Sequence, residues 1–131
     1  MTKIEITEGA VPDRLLPHSL ENGAELRFLG VVRESEEGRR LEGIRYTAYD
    51  AMSRALLEEI AEEGSTRFSS HHLAIVHRIG FVPAGEPSIL IEVSFPHSGE
   101  SFDACHWYLR EIKTRVPIWK EPIFRTDSAS S

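Results

Sequence analysis

Over the first fifty residues apolar and polar side chains mostly alternate, and after Asp50 the period lengthens to that of a helix. KIEIT (3–7) predicts a first strand. The 12–22 segment reads as a loop containing one helical turn. AELRFLGVV (24–32) has strand character, with Leu26, Phe28 and Gly30 on one face. RESEEGRR (33–40) is polar and carries Gly38, so it reads as an exposed, mobile connection. LEGIRYTAY (41–49) returns to a strand whose Ile44, Tyr46 and Ala48 share a face. Past Asp50, a candidate cap, Met52, Leu56 and Ile60 recur every four residues. Glu58, Glu59, Glu62 and Glu63 fall largely on the other faces, which predicts a helix over 51–63 with Gly64 near its end.

HLAIVHRIGFV (72–82) and SILIEVSF (88–95) are apolar enough for strands of a sheet core, joined through the turn signals of PAGEP. A second helix follows, with Phe102, Cys105, Leu109 and Ile112 on one stripe. Val116 extends that stripe until Pro117 stops it. Strands, helix, two strands, helix: this order predicts an α+β fold with a mainly antiparallel sheet and two principal helices. Residues 1–125 are expected to form a single domain, and 126–131 (TDSASS) a disordered tail.

Composition narrows the function classes. The 131 residues are 40% hydrophobic and 27% charged, as in an ordinary globular protein. Lone Cys105 has no partner for an internal disulfide, which suits a reducing cytosol. No apolar run is long enough to cross a membrane, and the N-terminus does not resemble a secretory signal. A cytosolic location is expected. A formal charge of −6 argues against general nucleic-acid binding.

That average conceals a gradient. Residues 50–64 set Arg54 against Asp50, Glu58, Glu59, Glu62 and Glu63, whereas 110–125 hold Arg110, Lys113, Arg115, Lys120 and Arg125 against Glu111 and Glu121. A local anion site at the basic end is one reading, and a solvated face with scattered charge is the other. Lys113 falls in the last turn of the second helix, where a cation is favoured by the helix dipole. Beyond Pro117 the chain must turn, which lets Lys120 fold back toward Lys113. Two ammonium groups held close depress each other's pKa, and such a lysine can serve as nucleophile or general base. Arg33, directly after a strand, and His97, between a buried strand and a helix, are placed to present functional groups. Structural ion pairing is the plainer reading of each. Cys105 lies on the apolar stripe and reads as a core cysteine. His71, His72 and His77 lack a second cluster at ligand spacing, so no metal site is expected.

Several segments also stand in a known order: GAELRFLGVVR (23–33), YTAYDAM (46–52), IVHRIG (75–80), PAGEPSILIEVSFPH (83–97), Phe102-Asp103-Ala104, and IKTRVPIWKE (112–121). Together they resemble the large, catalytic subunit of the molybdopterin synthase family, over residues 23–121. The resemblance implies an α/β hammerhead-like fold and a homodimer, with a small ubiquitin-like sulfur-carrier subunit bound at each end. It further implies that the carrier's C-terminal Gly-Gly thiocarboxylate enters a pocket and gives sulfur to cyclic pyranopterin monophosphate, forming the dithiolene of molybdopterin. Two sulfurs are needed, so delivery occurs twice. No cofactor is implied.

By the same resemblance Lys113 and Lys120 are the catalytic candidates, and Arg33, His97, Lys113 and Lys120 the substrate-binding set. Phe28 and Trp119 are candidates for packing around the partner's tail or the pocket. Two departures stand out. The family usually has His-Arg where this chain has His97-Ser98, and Ser98 reads as a cap of the next helix. The family also usually continues into an acidic-glycine turn and a tryptophan-containing segment, where this chain has PIFRTDSASS with Arg125. These departures keep open an alternative: a non-catalytic relative that binds a ubiquitin-like carrier as an interaction or regulatory module.

Overall fold

The strands pair into two sheets rather than one. The computed structural model describes residues 1–126. In chain order it comprises β1 (Thr2–Thr7), β2 (Ala24–Val31), β3 (Ser35–Glu36), β4 (Arg39–Ala48), α1 (Asp50–Arg67), β5 (His72–Arg78), β6 (Gly80–Pro83), β7 (Pro87–Phe95), α2 (Ser98–Arg115) and β8 (Ile118–Phe124). The first sheet has the order β1-β5-β7-β2. Its β1–β5 pair is parallel and its other pairs are antiparallel. In the second sheet β4 is central, pairing β8 on one side and β3 and β6 on the other, all antiparallel. The fold is therefore α+β and mainly antiparallel, with two principal helices, as the pattern predicts.

One face of the first sheet holds the core. Leu73 and Ile75 of β5, with Ile89, Ile91, Val93 and Phe95 of β7, meet Leu57 and Ile60 of α1 and Tyr108 and Ile112 of α2. Each such side chain fully buried contributes about 1.5–3 kcal/mol. On the opposite face Val76 and Leu90 pack with Val11 beneath the segment that precedes β2. There the expected helical turn does not form, and the physical reason is Glu92. Its carboxylate, 2% exposed, accepts the backbone N–H groups of Leu15 and Leu16 at 2.8 Å each. Those donors are thereby satisfied across the fold instead of within a turn.

Other expectations need correction. The 72–82 run is two strands, because Gly80 at φ +86° redirects the chain from the first sheet into the second. The polar 33–40 stretch contains a tight hairpin, not only a loose connection. Glu36 pairs with Arg39 around Glu37 (φ 52°) and Gly38 (φ 76°), the double positive-φ loop that suits strand twist. Helix α1 runs four residues beyond the predicted end. Its buried face is Ser53, Leu57, Ile60, Ala61 and Gly64, while Met52 is exposed. Tyr49, not Asp50, stands at its N-cap. Phe102 is likewise exposed, and Ser101, Ala104 and Trp107 join the buried face of α2. Pro117 ends α2 as predicted, but the chain then forms β8, which the sequence pattern does not reveal. Of the expected tail, 127–131 lie outside the described residues. No helix among those described is long and apolar enough to cross a membrane.

Candidate functional site

A cavity of about 470 Å³ opens where α2 ends and stops covering the first sheet. Its floor follows from strand alternation. Phe28 and Gly30 of β2 point to the helix side, as do His77 of β5 and Ile89 of β7, cross-strand partners. Gly30 leaves the space open, since a Cβ there would stand 2.7 Å from Ile89 Cγ2 and 3.4 Å from the Phe28 ring. The last turn of α2 supplies Ile112 and Lys113 as one wall. Strands β4 and β8 supply the other, with Tyr46 and Lys120 directly paired across the two strands. The volume lies in the range of small-molecule sites.

The predicted lysines thus share one cavity. Lys120 arrives there by strand pairing after Pro117, not by a loop folding back. Neither Lys113 nor Lys120 forms an ion pair among the described residues. Arg115, two residues beyond Lys113, differs. Its guanidinium bonds Glu63 at 2.7 and 3.1 Å and Glu111 at 3.1 Å, and reaches Glu59 at 3.4 Å, joining α2 to α1. Those carboxylates, Glu63 first and Glu111 next, raise the Arg115 pKa further. Within the basic end, Arg115 is thus engaged with α1, whereas Lys113 and Lys120 face open space.

Arg33 lines a smaller adjoining cleft of about 100 Å³. Val31, Tyr46 and Lys120 line both spaces, so Arg33, Lys120 and Lys113 follow one continuous depression. Glu36 also lines the smaller cleft, and its buried Oε2 has no hydrogen-bond partner.

Two expected residues are not gathered here. Trp119 points to the opposite face of β8 from Lys120 and meets the Tyr49 ring edge-on at 5.6 Å. It is 54% exposed and does not line the cavity, because neighbouring residues of a strand face opposite ways. His97 is the N-cap residue of α2. Sixteen residue steps along the helix separate it from Lys113, about 24 Å at 1.5 Å per step. Ser98 makes no side-chain cap bond; its carbonyl instead accepts the Ser101 hydroxyl at 2.5 Å.

His77 and Tyr46 are cavity residues that the sequence reading did not assign. His77 is 8% exposed, and its Nδ1–H donates to the Arg78 carbonyl at 2.8 Å. Burial pushes its pKa below the usual histidine value, against that backbone bond. Tyr46 meets its ring edge-on at 5.4 Å. The available signal was the period-two spacing from Leu73 through Ile75, which puts residue 77 on the helix side. The other histidines of the group diverge. His71 donates to Ser69 O and accepts from the Tyr108 hydroxyl, each at 2.7 Å. No group of three or more metal-binding side chains occurs among the described residues. Cys105 is buried in the core, which pushes its thiol pKa up.

The sequence model of the MoaE protein family matches residues 2–115. A rice (Oryza sativa subsp. indica) protein named molybdopterin synthase catalytic subunit is 42% identical over 105 residues, covering 80% of this chain and 54% of the relative. The chain thus spans about half the length of that relative. The crystal structure of molybdopterin synthase from Staphylococcus aureus superposes with a TM-score of 0.79 at 34% identity, over 83% of this chain and 80% of that one. The fold also recurs in a complex of subunits 1 and 2 of molybdopterin-converting factor from Helicobacter pylori. There the TM-score is 0.67 at 21% identity, over 82% of this chain and 74% of that one. The chain belongs to the MoaE family.

Proposed function

We propose that this chain acts as the large subunit of molybdopterin synthase. It would transfer sulfur from the C-terminal thiocarboxylate of a small carrier subunit to cyclic pyranopterin monophosphate. The observation that carries this reading is the cavity holding Lys113 and Lys120 without ion-pair partners, in a member of the MoaE family. The substrate brings a cyclic phosphate and the carrier's tail a thiocarboxylate, so two anions must meet. Unpaired ammonium groups at the mouth of a half-apolar cavity neutralise both. Arg33, in the adjoining cleft, extends that positive lining toward the phosphate.

Lys113 stands at the exposed end of α2 and is the candidate to hydrogen-bond the carrier's terminal carbonyl as sulfur moves to the substrate carbon. A donor already in place where negative charge develops is worth about 2.7–4 kcal/mol, or 10²–10³ in rate. Lys120, fixed by the β4–β8 pairing, holds the substrate anion. Phe28 packs the apolar part of the pterin or tail. Trp119, on the outer face of β8, is left for contact with the carrier body rather than the cavity. The H. pylori complex supports a small-subunit partner, and the proposed setting is the cytosol. His97 serves such a site only if a second copy of the chain brings its α2 N-terminus alongside, which the proposed homodimer provides.

A single-turnover assay tests the reading, with purified protein, thiocarboxylated small subunit and cyclic pyranopterin monophosphate. Dithiolene is expected from the wild type, and Lys113→Ala should slow its formation at least about a hundredfold. Carrier binding without product would instead favour the non-catalytic module, with Ser98 as the position to examine first.

A further inference from the structure

Lysines and arginine can only donate hydrogen bonds. The cations recognise the anionic parts of a substrate but give nothing to its N–H or O–H groups. His77 supplies an acceptor in the larger cavity, as the Glu36 carboxylate does in the adjoining cleft. Its Nδ1–H is committed to the Arg78 carbonyl at 2.8 Å, which fixes the tautomer and leaves the lone pair on Nε2. No described protein group hydrogen-bonds Nε2, and the ring lines the cavity. The equivalent positions two and four residues earlier on β5, Ile75 and Leu73, are apolar and wholly committed to the core. An imidazole continuing that row presents a polar atom to the cavity at a place where an aliphatic side chain would pack without one. Such an atom calls for a hydrogen-bond partner from whatever fills the cavity.

Neighbouring polar groups do not serve. The Ser88 hydroxyl donates to Gly30 O at 3.3 Å, and Tyr46 presents its ring, at 5.4 Å and 71°, to the imidazole. Burial disfavours the charged imidazole, which favours an acceptor in the cavity that the two lysines also line. We infer that His77 orients the substrate, its Nε2 accepting a hydrogen bond from an N–H or O–H of the heterocycle whose anionic end the lysines and Arg33 hold. This inference rests on the proposed function and assigns the same cavity a selectivity for substrates that are both anionic and donor-bearing.

The test is calorimetric binding of cyclic pyranopterin monophosphate, without the carrier, to the wild type and to His77→Phe, His77→Gln and His77→Asn, with Tm measured for each. His77→Phe keeps an aromatic ring but no acceptor, and binding should weaken at least tenfold. His77→Gln places an amide oxygen near the former Nε2 and should recover to within a few-fold of the wild type. His77→Asn keeps only a donor for the Arg78 carbonyl and should remain as weak as the Phe variant. Wild-type affinity in the Phe variant, or recovery by Asn but not Gln, overturns the inference, the latter by locating the role in the backbone bond. If the Phe variant does not fold, the Gln and Asn comparison decides by the same criterion. A wild-type protein that does not bind the probe overturns the proposed function and this inference together. A wild type that binds with an indifferent His77 overturns this inference alone.

Discussion

His77 and His71 are imidazoles whose surroundings oppose a positive charge. Burial is the main cause for both, and backbone carbonyl bonds at Arg78 and Ser69 only partly offset it. Their folded pKa values therefore lie below the unfolded value of about 6.5. As pH falls through that value the unfolded chain takes up protons that the folded chain refuses, so stability falls with pH. The contribution is fully present above about 6.5 and is lost on acidification toward the folded values. Glu25 and Glu63, held low by His18 and Arg115, titrate below their ordinary 4.5 and act in a separate, more acid window. Thermal unfolding from about pH 7.5 to 5 should show Tm dropping, and His77→Gln should flatten that slope. An unchanged slope would mean that His77 takes up its proton as readily in the folded chain as in the unfolded one.

Helix α1 and helix α2 meet at Gly64, and there a missing side chain is structural. A Cβ on Gly64 would overlap the Tyr108 hydroxyl and ring. That hydroxyl, buried and raised in pKa by desolvation, donates to His71 Nε2, and the His71 ring stacks on Phe95 at 4.3 Å. Gly64→Ala gains about 1 kcal/mol of helix propensity but overpacks this junction. Overpacking costs about 1–3 kcal/mol and more where backbone must shift. A net loss of stability in chemical denaturation is expected, and a stabilised variant would show that the helices can separate at no cost. The sequence suggested Gly64 as a helix end because glycine commonly follows a last turn. Close packing by a distant tyrosine was the competing cause, and local pattern carries no trace of it. The same limit explains α1's buried face: Ser53 is small and donates its hydroxyl to the distant Pro117 carbonyl at 3.5 Å, so the face keeps Ile60 but turns away from Met52.

At the scale of the whole molecule the candidate site divides. Lys113, Lys120, Phe28 and Arg33 follow one depression within the chain, whereas His97 stands at the far end of α2. If His97 and Lys113 serve one site, two copies must contribute to it. Lys113→Ala and His97→Ala proteins, each defective alone, should then complement when mixed. A mixed dimer contains one site with both residues intact, so random exchange restores about a quarter of wild-type turnover. Mixtures no more active than the separate variants would place His97 outside the chemistry or within its own chain's site.

Local pattern determined most of the elements of this protein. Alternation marks β1, β2 and β4, apolar runs mark β5 and β7, and longer periodicity marks both helices, since each must bury one face. The K-x-R-V-P-I-W-K stretch marked the lysines through family resemblance, but not how they meet. Tertiary structure decided the rest. Gly80 divides one apolar run between two sheets, Glu92 ties the segment before β2 to the sheet without a helical turn, and β8 forms because β4 offers an unpaired edge. Strand pairing turns Lys120 inward and Trp119 outward, and the end of α2 uncovers His77 beside both lysines. These are contacts between residues far apart in the chain, whose energies depend on partners that a local hydrophobic pattern does not specify.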